Sequence, residues 1–207
     1  MRPLYLIGWI ISWITARLIF RMKVHHKENI PSTGAFILAS NHISLADPQF
    51  VGSAVKREIH FLAKKELFNN KIFANILKRV NTHPVNRTGF DKKVIETAVE
   101  ILQSGEPIIM FPEGTRGREG KFLPARPGIG IIAQTAKVPV VPVYVSGTDK
   151  LSACFFGKET LNLFIGSPVT VDKIKNYTDD KNGYRELADE IMNRIKDLKA
   201  EFDGRVN

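Results

Sequence analysis

The stretch Ala35-Phe36-Ile37-Leu38-Ala39-Ser40-Asn41-His42-Ile43-Ser44-Leu45-Ala46-Asp47-Pro48 sets the reading of the whole chain. Residues 35–39 are an unbroken apolar run, preceded by the turn-forming Pro31-Ser32-Thr33-Gly34. A short apolar run that starts at turn signals reads as a strand buried on both faces. A polar segment with a histidine and a carboxylate follows at once, and Asp47-Pro48 marks a helix start. Strand, polar loop and helix in this order are the repeating unit of an α/β domain, whose ligands gather beyond the carboxyl ends of the strands.

The unit recurs on both sides of this stretch. Ile59 to Ala63, Pro107 to Phe111, Val138 to Val145 and Leu161 to Ile165 are further apolar runs. The prolines in Val138-Pro139-Val140-Val141-Pro142-Val143 predict an edge or irregular strand there. Val94, Ile95, Ala98, Val99 and Leu102 recur at helical spacing, as do Tyr184, Leu187, Ile191, Ile195, Leu198 and Phe202. The alternation predicts an α/β fold with a largely parallel central sheet flanked by helices. No internal repeat or linker divides it, so residues 22–207 read as a single α/β domain.

Composition narrows the function classes. The chain has 207 residues, 43% hydrophobic and 25% charged, which suffices for a substantial core and excludes global disorder. Cys154 is the single cysteine, so an intramolecular disulfide framework and a cysteine-based zinc site are both excluded. A net charge of +9 calls for anionic company: nucleic acid, an acidic membrane surface or phosphorylated substrates. The basic residues are not interleaved with aromatics as on nucleic-acid-binding surfaces, which disfavours that class. His25-His26 has only Glu28 near it at ligand spacing, so no metal site is expected.

Residues 4–20, LYLIGWIISWITARLIF, are apolar except for Arg17 near the end. As a helix they would be about 25 Å long, against about 30 Å for the hydrocarbon core of a bilayer. Tyr5, Trp9 and Trp13 share a face, and Arg17, Arg21, Lys23 and Lys27 follow. Amphipathic aromatics beside basic residues suit the interface of an anionic phospholipid membrane. Residues 1–21 therefore read as a membrane-associating hydrophobic helix, peripheral or monotopic, holding the domain at the cytoplasmic face of the cell membrane.

Two segments carry chemistry. In Asn41 to Asp47, a histidine just past a strand is placed for proton transfer, and Asp47 can turn back to hydrogen-bond the imidazole; the alternative is that Asp47 merely caps the next helix. In Phe111-Pro112-Glu113-Gly114-Thr115-Arg116, a glycine beside Thr115 and Arg116 suits an oxyanion or phosphate. Lys64-Lys65 and Asn86-Arg87 bring further cations to predicted strand ends.

These segments resemble the glycerolipid acyltransferases related to bacterial 1-acylglycerol-3-phosphate acyltransferase. Asn41-His42 with Asp47 is similar to the first motif of that family, Pro84-Val85-Asn86-Arg87 to the second, Phe111 to Arg116 to the third and Val138 to Val143 to the fourth. Phe61 to Leu67 is similar to the segment before the second block, and the whole match covers about residues 28–168. Ala125-Arg126-Pro127-Gly128 departs from the family's usual Phe-Lys before a glycine. The resemblance implies acyl transfer from acyl-CoA or acyl carrier protein to lysophosphatidic acid, with glycerol-3-phosphate or another lyso-lipid as alternative acceptors and a non-catalytic lipid binder as the competing class. It implies His42 as general base and Asp47 as its orienting partner. Lys64, Arg87 and Arg116 would then surround the phosphate, with Glu113, Gly114 and Thr115 at the acceptor site. No metal and no bound cofactor is implied, because the thioester is itself a substrate.

Overall fold

The computed structural model describes residues 1–86, 91–117 and 121–206. Seven strands form one sheet: β1 (Lys23–His25), β2 (Ile37–Ser40), β3 (His60–Lys64), β4 (Thr82–Val85), β5 (Ile108–Met110), β6 (Val140–Ser146) and β7 (Asn162–Ile165). Their order is β1-β7-β6-β2-β5-β3-β4. From β6 to β4 every neighbouring pair is parallel, while β7 runs antiparallel to β6 and carries β1 parallel to itself. The helices are α1 (Pro3–Ile14), α2 (Asp47–Ser53), α3 (Lys71–Arg79), α4 (Lys92–Gln103), α5 (Gly128–Ala136), α6 (Leu151–Phe155), α7 (Val171–Ile174) and α8 (Lys181–Val206).

Strand periodicity of two sorts the core into two layers. Ile37, Ala39, Ile108, Val140, Tyr144 and Phe164 face α4, α5 and α8, where Leu187, Ile191, Ile195 and Leu198 complete the layer. Phe36, Leu38, Ile109, Val141, Val143, Val145 and Leu163 face the other way, against Phe50 and Val51 of α2. With both faces covered, the strands read as continuous apolar runs in the sequence.

Three features differ from the sequence expectation. β6 is no edge strand: it is fully buried between β2 and β7. Pro142 is tolerated there because its missing donor falls where β7 has ended. Its carbonyl accepts the Gly166 N–H at 2.8 Å, and a Cβ at Gly166 would approach the proline Cγ to 2.8 Å. The edges are instead β1 and β4, two short strands whose polar sequences Lys-Val-His and Thr-His-Pro-Val gave no apolar run. Pro84 therefore sits where a proline is least costly.

The apolar N-terminal helix is shorter than the run that encodes it, giving way to a π-helical turn at Thr15–Ile19. Among the described residues no helix is long and apolar enough to cross a membrane. α1 is pinned by its few polar atoms to the segment between α2 and β3. The Tyr5 hydroxyl accepts the Ile59 N–H at 3.0 Å, the Trp9 indole donates to the Val55 carbonyl at 2.7 Å, and Arg2 pairs with Glu58 at 3.1 Å. Burial pushes the Tyr5 hydroxyl up to about 12. Packing runs on past this helix, since Ala16 and Met22 both lie in the α2 layer. The outward side of α1 stays apolar, with Ile7, Ile10, Ile11, Trp13 and Ile14 exposed.

Tyr5→Phe removes the acceptor for a buried N–H and is expected to lower stability by about 1–3 kcal/mol, read as a loss in urea midpoint at constant slope. A second expectation concerns His60 and His83, whose rings stack and share a hydrogen bond of 2.9 Å between Nδ1 and Nε2. Burial, and then the facing His83, hold His60 down to about 4; burial also lowers His83. Between the ordinary histidine value of about 6.5 and that lowered one, the unfolded chain binds more protons than the folded one. Stability contributed by the neutral pair is therefore complete above that window and lost as pH falls through it. Melting temperature measured from pH 7 to pH 4 should fall less steeply in His60→Asn than in the unsubstituted protein.

Candidate active site

The parallel strands β2, β5, β3 and β4 end on one edge of the sheet, and the loops leaving them assemble the site. At the end of β2, Asn41 locks the loop in place. Its Nδ2 donates to the Val145 carbonyl at 3.0 Å and its Oδ1 accepts the Val145 N–H at 2.7 Å. That reciprocal pair fixes the point where the chain leaves the sheet, and the next residue is His42.

His42 is 5% exposed and its ring lies on Phe111, with centroids 4.1 Å apart. Its Nδ1 is 2.8 Å from Asp47 Oδ2, so the neutral imidazole donates through Nδ1 and leaves Nε2 as an acceptor with no partner among the described residues. Asp47 is fully buried and both oxygens of its carboxylate are hydrogen-bonded. Oδ2 also accepts the N–H groups of Ile43 and Ser44, each at 2.7 Å, and Oδ1 accepts the Thr148 hydroxyl. A buried anion is tolerable only with such a set of donors. The local fold follows from this: the loop turns so that two of its own amides point back at the first residue of α2.

Glu113, 3% exposed, braces the same loop from β5. Its Oε1 accepts the His42 N–H at 3.0 Å and its Oε2 accepts the Leu123 N–H at 2.8 Å. Burial raises its carboxyl above the usual range, opposed by these two backbone bonds. Both oxygens are thus committed to backbone, and Glu113 acts on the site through the position of His42. Gly114 follows at φ +69°, a left-handed conformation that suits glycine. A Cβ there would also meet the Arg126 side chain at 2.6 Å.

Two of the cations predicted from sequence, Lys64 and Arg116, stand at or after the ends of strands that finish on this edge. Lys64 ends β3 and Arg116 lies in the loop after β5; both are exposed, as is Thr115. Neither cation pairs with a carboxylate among the described residues. Arg87 lies outside the described residues. Thr148 was invisible to sequence reasoning because it lies 101 residues from its partner Asp47; no local pattern marks it.

Phe111, on which the imidazole stacks, is one wall of an apolar cavity of about 320 Å³ that His42 itself does not line. Its wall includes Leu62, Ile109, Phe111, Gly114, Ile129 and Ile132. A base with a free nitrogen, two unpaired cations and an apolar cavity suit an amphiphile with an anionic head and a hydrocarbon chain. Such a site can take a proton from a hydroxyl held between them.

Comparison with known proteins agrees with this chemistry. A family model described as Acyltransferase matches residues 21–146. The chain is 32% identical over 183 residues to the 1-acyl-sn-glycerol-3-phosphate acyltransferase of Bacillus subtilis (strain 168), covering 88% of this chain and 90% of that protein. It is 29% identical to the protein of the same name from Streptococcus pneumoniae, covering 86% of this chain and 66% of that one. The crystal structure of the 1-acyl-sn-glycerophosphate acyltransferase PlsC from Thermotoga maritima superposes with a TM-score of 0.71 at 25% identity, covering 97% of this chain and 83% of that one. By the extent of the family match, the identity to the Bacillus protein and a site built around a buried histidine–aspartate pair, the chain belongs to the acyltransferase family.

Proposed function

We propose that the protein transfers the acyl group of a thioester, acyl-CoA or acyl-acyl carrier protein, to the sn-2 hydroxyl of 1-acyl-sn-glycerol-3-phosphate, forming phosphatidic acid for phospholipid synthesis. The observation that carries the reading is the His42–Asp47 pair, oriented through Nδ1 with Nε2 left as acceptor. The names of the relatives support the acceptor.

A secondary alcohol is a poor nucleophile until its proton is taken. His42 Nε2 accepts that proton as the alcohol oxygen bonds to the thioester carbonyl carbon. Asp47 holds the tautomer and stabilises the imidazolium. Collapse of the tetrahedral intermediate breaks the carbon–sulfur bond, and the imidazolium returns the proton to the departing thiolate. No enzyme nucleophile is needed, and Cys154 is buried and has no part. Lys64 and Arg116, with Arg87, take the acceptor's phosphate, while Gly114 and Thr115 border it and Glu113 steadies the base. The apolar cavity takes an acyl chain. The exposed apolar side of α1 lies in the interface of an anionic membrane at the cytoplasmic face, where the acceptor resides.

The catalytic reading is tested with acyl-CoA and a panel of lyso-lipid acceptors. His42→Ala is expected to lose about 10²–10⁴ in kcat while retaining its fold. Asp47→Asn should lose activity too, and the double variant should be little worse than His42→Ala, because the two act as a unit. Multiplicative losses would assign them separate roles, and near-normal turnover in His42→Ala would end the mechanism.

Arg116→Ala removes a charge-assisted contact worth about 1.5–3 kcal/mol, and should raise the acceptor KM about 10- to 100-fold with the donor KM little changed. Steady-state kinetics with each substrate varied in turn separates the two constants.

A further inference from the structure

We infer that α3, with the turn leading into it, is a second membrane-contacting element that lies on an anionic phospholipid surface beside α1. The inference rests on α1 being the membrane-associating helix and adds a separate surface to it. α3 has nine residues and not one is buried. Ile72 is 77% exposed, and Leu67, Phe73 and Ile76 are each nearly half exposed. A helix this short owes its stability to a packed apolar face rather than to propensity. Here much of the apolar face is turned to the outside. The Asn70 carboxamide oxygen caps the helix by accepting the Ile72 and Phe73 N–H groups at 3.0 and 3.1 Å, fixing those two side chains on a well-formed first turn.

Charge says what covers this face. Lys64, Lys65, Lys71, Lys78 and Arg79 are all exposed, against Glu66 as the single acid between residues 64 and 79. None of the five pairs with a carboxylate among the described residues. Apolar side chains flanked by unpaired cations are the pattern of a helix lying in a lipid interface, its cations at the headgroups. The end of α3 also adjoins α1, since a Cβ on Gly8 would sit 4.0 Å from Val80 Cγ1. A single interfacial helix leaves the body free to roll about its axis; a second one alongside fixes the roll. α3 follows Lys64, so seating it brings the phosphate-binding edge to headgroup level.

The test uses the full chain and sedimentation with vesicles of phosphatidylcholine alone or with one third phosphatidylglycerol. Three variants are compared: Ile72→Ser/Phe73→Ser/Ile76→Ser, Lys71→Gln/Lys78→Gln/Arg79→Gln, and Ile7→Ser/Ile11→Ser/Ile14→Ser in α1. Each basic residue near an anionic surface is worth roughly fivefold in partition. The basic triple should therefore lose at least tenfold on the mixed vesicles and little on phosphatidylcholine. The apolar triple should lose at least tenfold on mixed vesicles. An environment-sensitive fluorophore on Ile72→Cys, in an otherwise unchanged chain, should shift to the blue with mixed vesicles. The same label on Asp172→Cys, on the opposite side of the sheet, should not. This labelling decides the matter even if the apolar triple folds poorly. Unchanged partition of both α3 variants with no shift at residue 72 overturns the inference, and release of the α1 variant in that case leaves the reading of α1 standing. An unsubstituted protein that sediments with neither vesicle overturns both. A dimer in sedimentation velocity that the apolar triple dissociates would assign the face to self-association instead.

Discussion

A carboxylate with no exposure to water organises this molecule. Asp47 is fully buried, and its two oxygens collect an imidazole N–H, two backbone amides and a hydroxyl. Removing any donor would leave part of a buried charge unpaired, a large cost. The constraint therefore propagates outward. It bends the loop after β2, sets where α2 begins, and ties the far end of β6 to the centre of the sheet through Thr148. Asn41, by exchanging two hydrogen bonds with Val145, holds the same two strands together from inside. The His42–Asp47 pair is held in place because the fold cannot relax around it without exposing the anion.

The legible parts of the sequence were those with a local signature. β2 and β5 announce themselves as apolar runs because parallel strands are covered on both sides. The His42–Asp47 pair is legible because a separation of five residues lets a single turn bring the groups together. Signals that act across the sheet were not legible. Pro142 argued for an edge by a sound rule, and the rule was outweighed by Gly166, which lies beside it only in the folded chain. β1 was missed, and β4 was marked only by its end before Asn86, because edge strands need no continuous apolar run. Glu113 was legible as a site residue, yet its engagement with the His42 and Leu123 amides depends on backbone positions the sequence does not display.

The two sides of the sheet are used differently. Against α4, α5 and α8 the packing is closed, with a long C-terminal helix covering the strands. Against α1 and α2 it is closed only on the inner side, and large apolar side chains from Leu4 to Ile19 and from Leu67 to Ile76 face outward. Soluble monomers rarely expose contiguous apolar surface on this scale. Under the proposed function the asymmetry has a use: an enzyme acting on an amphiphile would need one side suited to water and the other to a lipid surface, with the His42 edge between them.

Both tryptophans of the chain, Trp9 and Trp13, lie on α1, stacked with centroids 6.5 Å apart. One is hydrogen-bonded to the body of the protein and the other is open to the outside. Intrinsic indole emission from this protein therefore reads the seat of α1 on the body and not the packing of the sheet itself. With excitation confined to the indole band, so that the four tyrosines do not contribute, quenching or a spectral shift would report on one helix alone, distinguishing its departure from the body from its entry into a less polar surrounding.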